Sequence, residues 1–397
     1  MQVDSGLNPM STPTSKKPGR ILHVLEAFIG GTARHLVDLL TGLPDWEQAA
    51  VVSMREPRLA SRIQRLRDAG IRVDVAPMRR APAPGEDWRA LVYLIRLMRE
   101  QRPDIVHCHS AKAGILGRAA AAAAGVPIRI YSPHALPFHP FIPVSQRLFY
   151  WTLEWLAARF TTAMVAVSPS EGRAIEAARL APPARVFVVP NGVRLPVKTL
   201  DRLEARRALG IPLDRPVALC VALLRSQKAP LDWVTMAADV RRSRPDAFFA
   251  WVGDGDMERG FLAAAERVLA PGSFRYLGYR ADASQAYAAA DIFTLASLWE
   301  GCPYVLLDAM ARGIPCAVTS VAGSQDIIHH GDNGLLSPPG RPSDLANSVL
   351  RLLNDVGFAA GIGRRGCETI ETEYSLEQCL AGHRRMYSEL LSAHPRK

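Results

Sequence analysis

Two carboxylates, Glu300 and Asp308, punctuate the run Trp299-Glu300-Gly301-Cys302-Pro303-Tyr304-Val305-Leu306-Leu307-Asp308-Ala309-Met310-Ala311-Arg312-Gly313 of this 397-residue chain. The residues before it, Asp291-Ile292-Phe293-Thr294-Leu295-Ala296, read as a buried strand. Beyond Pro303, residues Val305, Leu306, Ala309 and Met310 fall on one helical face. Pro303 suits a first helical turn, where its missing N–H costs nothing. The segment is therefore a strand, a glycine turn and a helix start, with one acid in the turn and the other further along the helix. A helix N-terminus offers backbone N–H groups and a positive dipole end to an anion, and nearby acids accept hydrogen bonds from hydroxyls. A ligand that is both anionic and hydroxyl-rich fits, and a nucleotide sugar is such a ligand.

Other candidate groups also sit at strand ends. Lys228 lies between the strand Val217-Ala218-Leu219-Cys220-Val221 and a helix from Leu231 to Arg242, with Arg225 close by. Arg225 is a candidate for bidentate contact with phosphate. Gly30 and Gly31 follow the first strand, where the lack of side chains admits a diphosphate. His134 follows the strand Ile128-Arg129-Ile130-Tyr131 and precedes a proline-rich loop. His107 and His109 are taken to point to opposite faces of their strand, against one shared metal. Asp254-Gly255-Asp256 has the D-x-D pattern of metal-dependent transferases, but here it belongs to a glycine turn after a strand. No metal site is expected.

Strand and helix patterns alternate along the chain to position these groups. In the first half, strands are expected at Arg20–Leu25, Ala50–Ser53, Ile71–Val75, Asp104–His109, Ile128–Tyr131, Ala163–Val167 and Val186–Val189. Helices are expected at Ala33–Leu43, Trp88–Gln101, Ala113–Ala124 and from Pro169. The alternation restarts at Val217 and runs through Ala247–Val252, Asp291–Ala296, Cys316–Thr319 and Gly334–Leu336. Leu376 to Ala393 is amphipathic, with Leu376, Leu380, His383, Tyr387 and Leu390 on one stripe. The fold class is α/β, with two Rossmann-like domains of parallel strands facing across a cleft. The expected organisation is a disordered tail over 1–18, domains over 19–194 and 195–375, and a helix over 376–397 crossing back to the first domain.

Composition narrows the function classes. Residues 1–195 hold 25 Lys+Arg against 15 Asp+Glu, and residues 196–397 hold 23 of each, so the net charge of +10 sits wholly on the first half. That half is expected to meet an anionic partner. The six cysteines include no C-x-x-C pair, which argues against zinc ribbons and a disulfide framework and for a reducing compartment. No charge-free run reaches the ~20 apolar residues of a membrane span. The polar, Pro/Ser-rich N-terminus lacks the apolar core of a signal peptide. Leu148-Phe149-Tyr150-Trp151 with Trp155, flanked by Arg147 and Arg159, supports two readings: an interfacial patch for membrane and a lipid-linked acceptor, or a core helix between domains.

Taken in order, the motifs Gly30-Gly31-Thr32-Ala33-Arg34-His35, His107-Cys108-His109-Ser110-Ala111-Lys112-Ala113-Gly114, Ser132-Pro133-His134, Val167-Ser168-Pro169-Ser170-Glu171, Val189-Pro190-Asn191-Gly192-Val193, Gln227-Lys228-Ala229-Pro230, Gly253-Asp254-Gly255 and the E-x7-E-like Glu300 to Asp308 resemble the retaining GT-B glycosyltransferases of family 4, of the bacterial exopolysaccharide and lipopolysaccharide type. The resemblance runs from about Arg20 over nearly the whole chain. It implies an acceptor-holding first domain and a donor-holding second domain. It also implies a catalytic set of His134, Lys228 and Glu300. Around the donor it places Gly30, Gly31, Arg225, Lys228, Gly253, Glu300, Gly301, Cys302, Pro303, Tyr304 and Asp308. The donor is then a nucleotide sugar, UDP-linked for preference, with no separate cofactor or metal. The acceptor is a glycan or lipid-linked sugar, and nucleic acid is not a partner. The expected location is cytoplasmic, with peripheral contact at the inner face of the plasma membrane. Two positions depart from the family: Asp308 stands where Glu is usual, and Leu223 where Arg is common.

Two other readings share parts of this pattern. A GT-B nucleotide-sugar epimerase has the same architecture but needs an acid pair for sugar deprotonation. A non-catalytic nucleotide- or lipid-binding scaffold of a polysaccharide assembly complex is favoured by Leu223 and Asp308.

Overall fold

A computed structural model describes residues 17–26, 28–54, 59–79, 81–196 and 200–395; residues 1–16 of the expected tail lie outside them. In the first half the order is β1 (Arg20–Leu25), α1 (Gly30–Gly42), β2 (Glu47–Val52), α2 (Ala60–Asp68), β3 (Arg72–Val75), α3 (Pro84–Gln101), β4 (Ile105–His109), α4 (Ala111–Ala123), β5 (Ile128–Ser132), α5 (Val144–Ala158), β6 (Ala163–Ala166), α6 (Pro169–Ala177) and β7 (Val186–Val188). The second half runs α7 (Arg202–Leu209), β8 (Val217–Val221), α8 (Pro230–Ser243), β9 (Phe248–Val252), α9 (Glu258–Val268), β10 (Phe274–Tyr276), α10 (Ser284–Ala289), β11 (Ile292–Leu295), α11 (Tyr304–Met310), β12 (Cys316–Thr319), α12 (Ala322–Gln325), β13 (Leu335–Ser337), α13 (Pro342–Asn354), α14 (Val356–Glu373) and α15 (Leu376–Ala393).

Every strand pairing is parallel. One sheet has the order β3-β2-β1-β4-β5-β6-β7 and the other β10-β9-β8-β11-β12-β13. Apolar runs such as Phe248–Val252 are buried throughout, because helices cover both faces of a parallel sheet. In each sheet the strand order reverses beside the first strand, between β1 and β4 and between β8 and β11. Crevices at the carboxyl ends of strands open at such switch points. The Gly30-Gly31 loop and the Lys228 loop sit at these two places, on facing domains.

The two domains are tied by the chain crossing between them twice. Val193 and Leu376 exchange backbone hydrogen bonds with Tyr374 and Val193 at 2.9 and 3.0 Å. A Cβ on Gly192 would come within 2.2 Å of the Ser375 carbonyl oxygen, so only glycine allows this crossing. Beyond it, α15 returns to the first sheet. Met386, Tyr387 and Leu390 join the cluster of Ile21, Leu39, Trp46 and Ile105, and Arg384 pairs with Asp45 at 3.0 Å.

The helix α5 corrects one of the two sequence readings. It packs on α4 within the first domain, not between domains. Arg118 and Glu154 form a buried ion pair at 2.6 Å. The Tyr131 hydroxyl donates to the same carboxylate at 2.7 Å, and the Arg118 guanidinium lies 3.9 Å from the Tyr131 ring centroid. The opposite face leaves Val144, Leu148, Phe149, Trp155 and Leu156 exposed. Among the described residues no helix is long and apolar enough to cross a membrane.

Candidate active site

The loop after β8 turns through Ser226–Lys228 and is fastened to the loop after β11. Gln227 accepts from the Leu298 backbone N–H at 2.8 Å and donates its side-chain amide to the Trp299 carbonyl at 2.9 Å. This brings the Lys228 ammonium onto Glu300 Oε1 in a direct ion pair. The Ser297 hydroxyl donates to the same oxygen at 2.6 Å. Both charged side chains are largely shielded, at 15% and 6% exposure, so their attraction is little screened by salt. Glu300 therefore does not cap α11. The N-terminal residue Pro303 has no side-chain cap, and α11 itself is seven residues long. The positive charge facing the cleft rests on Lys228 and Arg225 rather than on a long helix dipole.

From the other domain, the first loop arrives without side chains. Gly30 has φ +61°, and a Cβ on Gly31 would stand 3.1 Å from the Tyr304 ring. The positive φ accounts for Gly30 and close approach for Gly31. Three further contacts join α1 to α11. Arg34 reaches Asp308 Oδ2 at 2.5 Å, its guanidinium lies 4.9 Å from the Tyr304 ring centroid, and His35 Nδ1 is 3.1 Å from the Tyr304 hydroxyl. Leu223 lies across from Gly30, 3.7 Å from where a Cβ would be. Together these residues bound a cleft of about 250 Å³ that Gly30, Gly31, His134, Arg225, Lys228 and Glu300 line. Gly301, Cys302, Pro303 and Tyr304 complete its second-domain wall.

Two expected site residues are not part of the cleft lining. Gly253, with φ +124°, lies outside that lining, and a Cβ there would come within 2.1 Å of the Ala222 carbonyl oxygen. Its place is set by the packing of two backbones. Asp308 is also outside that lining, one turn along α11 from Tyr304, where it pairs with Arg34.

His134 is set at the cleft by a strained turn. Its φ is +57°, and Ala135 follows with +113°, conformations that non-glycine residues adopt at a cost. Glu171 holds this turn. Its two oxygens accept the Ala135 and Val167 N–H groups at 2.7 and 2.8 Å, while Ser168 caps α6 through the Glu171 N–H. Burial pushes the Glu171 carboxyl up to about 7, against the pull of these two backbone donors. Burial also pushes the His134 imidazole down to about 3, with His383 adding to the effect.

His134 and the five buried histidines behind it, His23, His35, His107, His109 and His383, form one cluster. Residues two apart on a strand share a face, so the expectation for His107 and His109 is reversed. Their ring centroids are 4.1 Å apart. Among the described residues, His23, His107 and His109, and likewise His35, His109 and His134, bring ligand nitrogens within 4.8 Å of one another, close enough for a metal. Each nitrogen of His23, His107 and His109 has a hydrogen-bond partner in the protein. The H-x-H spacing with a third histidine on the adjacent β1 was a signal for this cluster; Arg34 and Glu171 had none beyond their place in a motif, and Gln48 had none.

A second pocket, of about 360 Å³, opens on the far side of Glu300 and Gly301. It is walled by Leu136, Phe138, His139 and Phe141 of the first domain and by Trp299 and Val321 of the second. His139 stacks on Trp299 with centroids 3.8 Å apart. A Cβ on Gly301 would meet the His134–Ala135 peptide at 3.1 Å, so the wall between the two cavities is one backbone thick.

Residues 29–195 match the Glycosyltransferase Family 4 domain and residues 215–355 the Glycosyl transferases group 1 domain. The UDP-Gal:alpha-D-GlcNAc-diphosphoundecaprenol alpha-1,3-galactosyltransferase of Escherichia coli is 30% identical over 282 residues, covering 68% of this chain and 71% of that protein. The capsular polysaccharide biosynthesis glycosyltransferase CapM of Staphylococcus aureus is 23% identical, covering 80% and 85%. Anabaena Alr3699/HepE, solved in complex with UDP-glucose, superposes with a TM-score of 0.81 at 20% identity, covering 94% of this chain and all of that one. The fold is GT-B, and the chain belongs to the family 4 glycosyltransferases.

Proposed function

We propose that this enzyme transfers a hexose from a UDP-sugar, with retention of configuration and without a metal ion, to a lipid-linked glycan in cell-surface polysaccharide assembly. The observation that carries the reading is the Lys228–Glu300 pair at the back of the inter-domain cleft. A diphosphate entering the cleft takes over the Lys228 ammonium, with Arg225 beside it. Glu300 is then free to accept hydrogen bonds from hydroxyls of the sugar. His134, Lys228 and Glu300 form the catalytic set, and Gly301 to Tyr304 supply the floor under the diphosphate. Asp308, oriented by Arg34, accepts from the ribose.

No side chain stands as a covalent nucleophile in this arrangement. Substitution proceeds on the front face: the acceptor oxygen bonds to the anomeric carbon as the bond to the diphosphate breaks, and the departing phosphate oxygen takes the acceptor proton. Lys228 and Arg225 stabilise the growing negative charge, an effect worth roughly 2–4 kcal/mol at the transition state. Closure through Arg34–Asp308 and Tyr304–His35 excludes water from the donor.

The apolar second pocket receives the acceptor. The exposed face of α5, which follows the pocket loop directly, rests on an anionic membrane that carries it, and Arg147 and Arg159 meet the headgroups. The Escherichia coli relative, whose name specifies a diphosphoundecaprenol acceptor, supports this choice. An epimerase is disfavoured because, among the described residues, Glu300 has no second acid beside it in the cleft lining.

The test is transfer from a panel of UDP-sugars to a polyprenyl-diphosphate sugar in anionic vesicles, with and without EDTA, the product anomer being read by NMR. Chelator-insensitive transfer with retention is expected. Inversion, or loss of transfer with EDTA, refutes the corresponding part of the reading. Turnover of UDP-sugar without acceptor but with epimerisation would establish the epimerase instead.

A further inference from the structure

The clustered histidines are not interchangeable, because one amide dictates where the proton sits on three of them, His23, His109 and His134. The Gln48 side-chain nitrogen lies 3.1, 3.4 and 3.0 Å from the carbonyl oxygens of Leu39, Leu40 and Leu43 at the end of α1. Flipping the amide would set its oxygen against three acceptors, so the nitrogen stays there. Gln48 Oε1 then faces His23 Nε2 at 3.1 Å and can only accept. His23 therefore carries its proton on Nε2 and presents a lone pair on Nδ1.

The same logic passes along the line. His23 Nδ1 is 3.1 Å from His109 Nε2, so His109 carries its proton on Nε2. His109 Nδ1 is 3.0 Å from His134 Nε2, so that nitrogen carries the proton as well. The ring that lines the cleft is left with its lone pair on Nδ1. Gln48 ends the line in an amide pinned by backbone carbonyls, so protons have no exit there. Burial and the neighbouring rings keep these imidazoles neutral near pH 7, with His23 pushed down to about 4 and His109 well below its ordinary value.

We propose that Gln48, His23 and His109 are positioning residues that lock His134 into the Nε2–H tautomer, so that its Nδ1 accepts a hydrogen bond from a substrate hydroxyl in the cleft and never acts as a proton relay. The lock is a property of the protein alone; only the identity of the hydroxyl rests on the glycosyl-transfer reading above.

The test is 15N-histidine NMR of the full-length protein without ligand, with ring signals assigned by loss in single His→Gln variants. Proton-to-nitrogen couplings should place the proton on Nε2 in His23, His109 and His134. In Gln48→Met, which removes the acceptor at similar volume, His134 should become a mixture of tautomers while the thermal midpoint shows that the fold persists. With a working UDP-sugar, kcat in that variant should fall about tenfold, the worth of one hydrogen bond, with donor KM within twofold. In the wild type, kcat/KM should show no ionisation assignable to His134 between pH 5 and 9. An Nδ1–H tautomer at His134 in the wild type, an unchanged tautomer in Gln48→Met, or stoichiometric divalent metal bound to the rings would each overturn the proposal. If the spectra hold and no sugar is turned over, the lock stands and the functional reading fails.

Discussion

Arg34 of the first domain and Asp308 of the second meet at 2.5 Å across the cleft. Asp308 is a methylene shorter than the glutamate usual in the family, and Arg34 lies on the near side of it. The second carboxylate oxygen is 3.7 Å from Arg312, which leaves it room for a hydroxyl. The pair is partly exposed, so its stabilising effect is small, on the order of 1 kcal/mol. Its role is to orient. Asp308→Asn and Arg34→Met should each raise donor KM about tenfold with kcat within twofold. Steady-state kinetics check this, and a fall in kcat alone would place Asp308 at the reacting centre instead.

The six clustered histidines make stability depend on pH. Their folded values lie below the ordinary 6.5, so the unfolded chain binds more protons as pH falls through 6.5. Stability is present above that value and lost below it. Each such histidine gives up about 1.3 kcal/mol between pH 7 and 5.5, and the cluster several times that. Thermal unfolding should therefore drop steeply over this window. A His383→Gln variant should flatten the dependence by about one sixth, read from unfolding free energies at five pH values.

Arg118 and Glu154 fix α5 to α4. Removing one charge leaves the other buried, so Arg118→Met should cost roughly 3–5 kcal/mol. The double change Arg118→Met with Glu154→Leu should recover most of it. Denaturant melts of the two variants and the wild type check this, and equal losses in the single and double variants would show that packing, not charge, holds the helix.

The exposed face of α5 should carry the protein onto anionic vesicles. Leu148→Ser with Phe149→Ser should abolish flotation and leave the melting point unchanged, since exposed substitutions rarely exceed ±0.5 kcal/mol. Flotation that survives the double change would place the membrane contact elsewhere.

Local pattern carried the architecture. Strands such as Phe248–Val252 and Val217–Val221 are continuous apolar runs, and α15 matches its amphipathic stripe from Leu376 to Ala393. The helices α2, α9, α13 and α14 were not anticipated, although α13 sets Leu345, Val349, Leu352 and Leu353 at helical spacing, a pattern that could have marked it. The ends of the cleft loops, with Lys228 and Glu300, were readable from motif order. What joins them was not. Arg34 meets Asp308 across 274 residues, and Tyr387 meets His107 across 280, contacts that exist only once the domains dock and α15 returns. The opposite-face reading of His107 and His109 failed on strand periodicity itself, which sets such pairs side by side. The length of α11 was also hidden, since nothing in Tyr304–Met310 marks its early end before Gly313.

The most direct measurement is the thermal stability of the purified protein against UDP, other nucleotides and a UDP-sugar panel, with and without chelator, in wild type and Lys228→Ala. A ligand at about 100 times its Kd adds ~2.7 kcal/mol, a rise of at least ~2 °C. A UDP-specific, chelator-insensitive rise that disappears in Lys228→Ala is the predicted result. No rise with any nucleotide, or an undiminished rise in Lys228→Ala, would contradict a donor site built around Lys228 and Glu300.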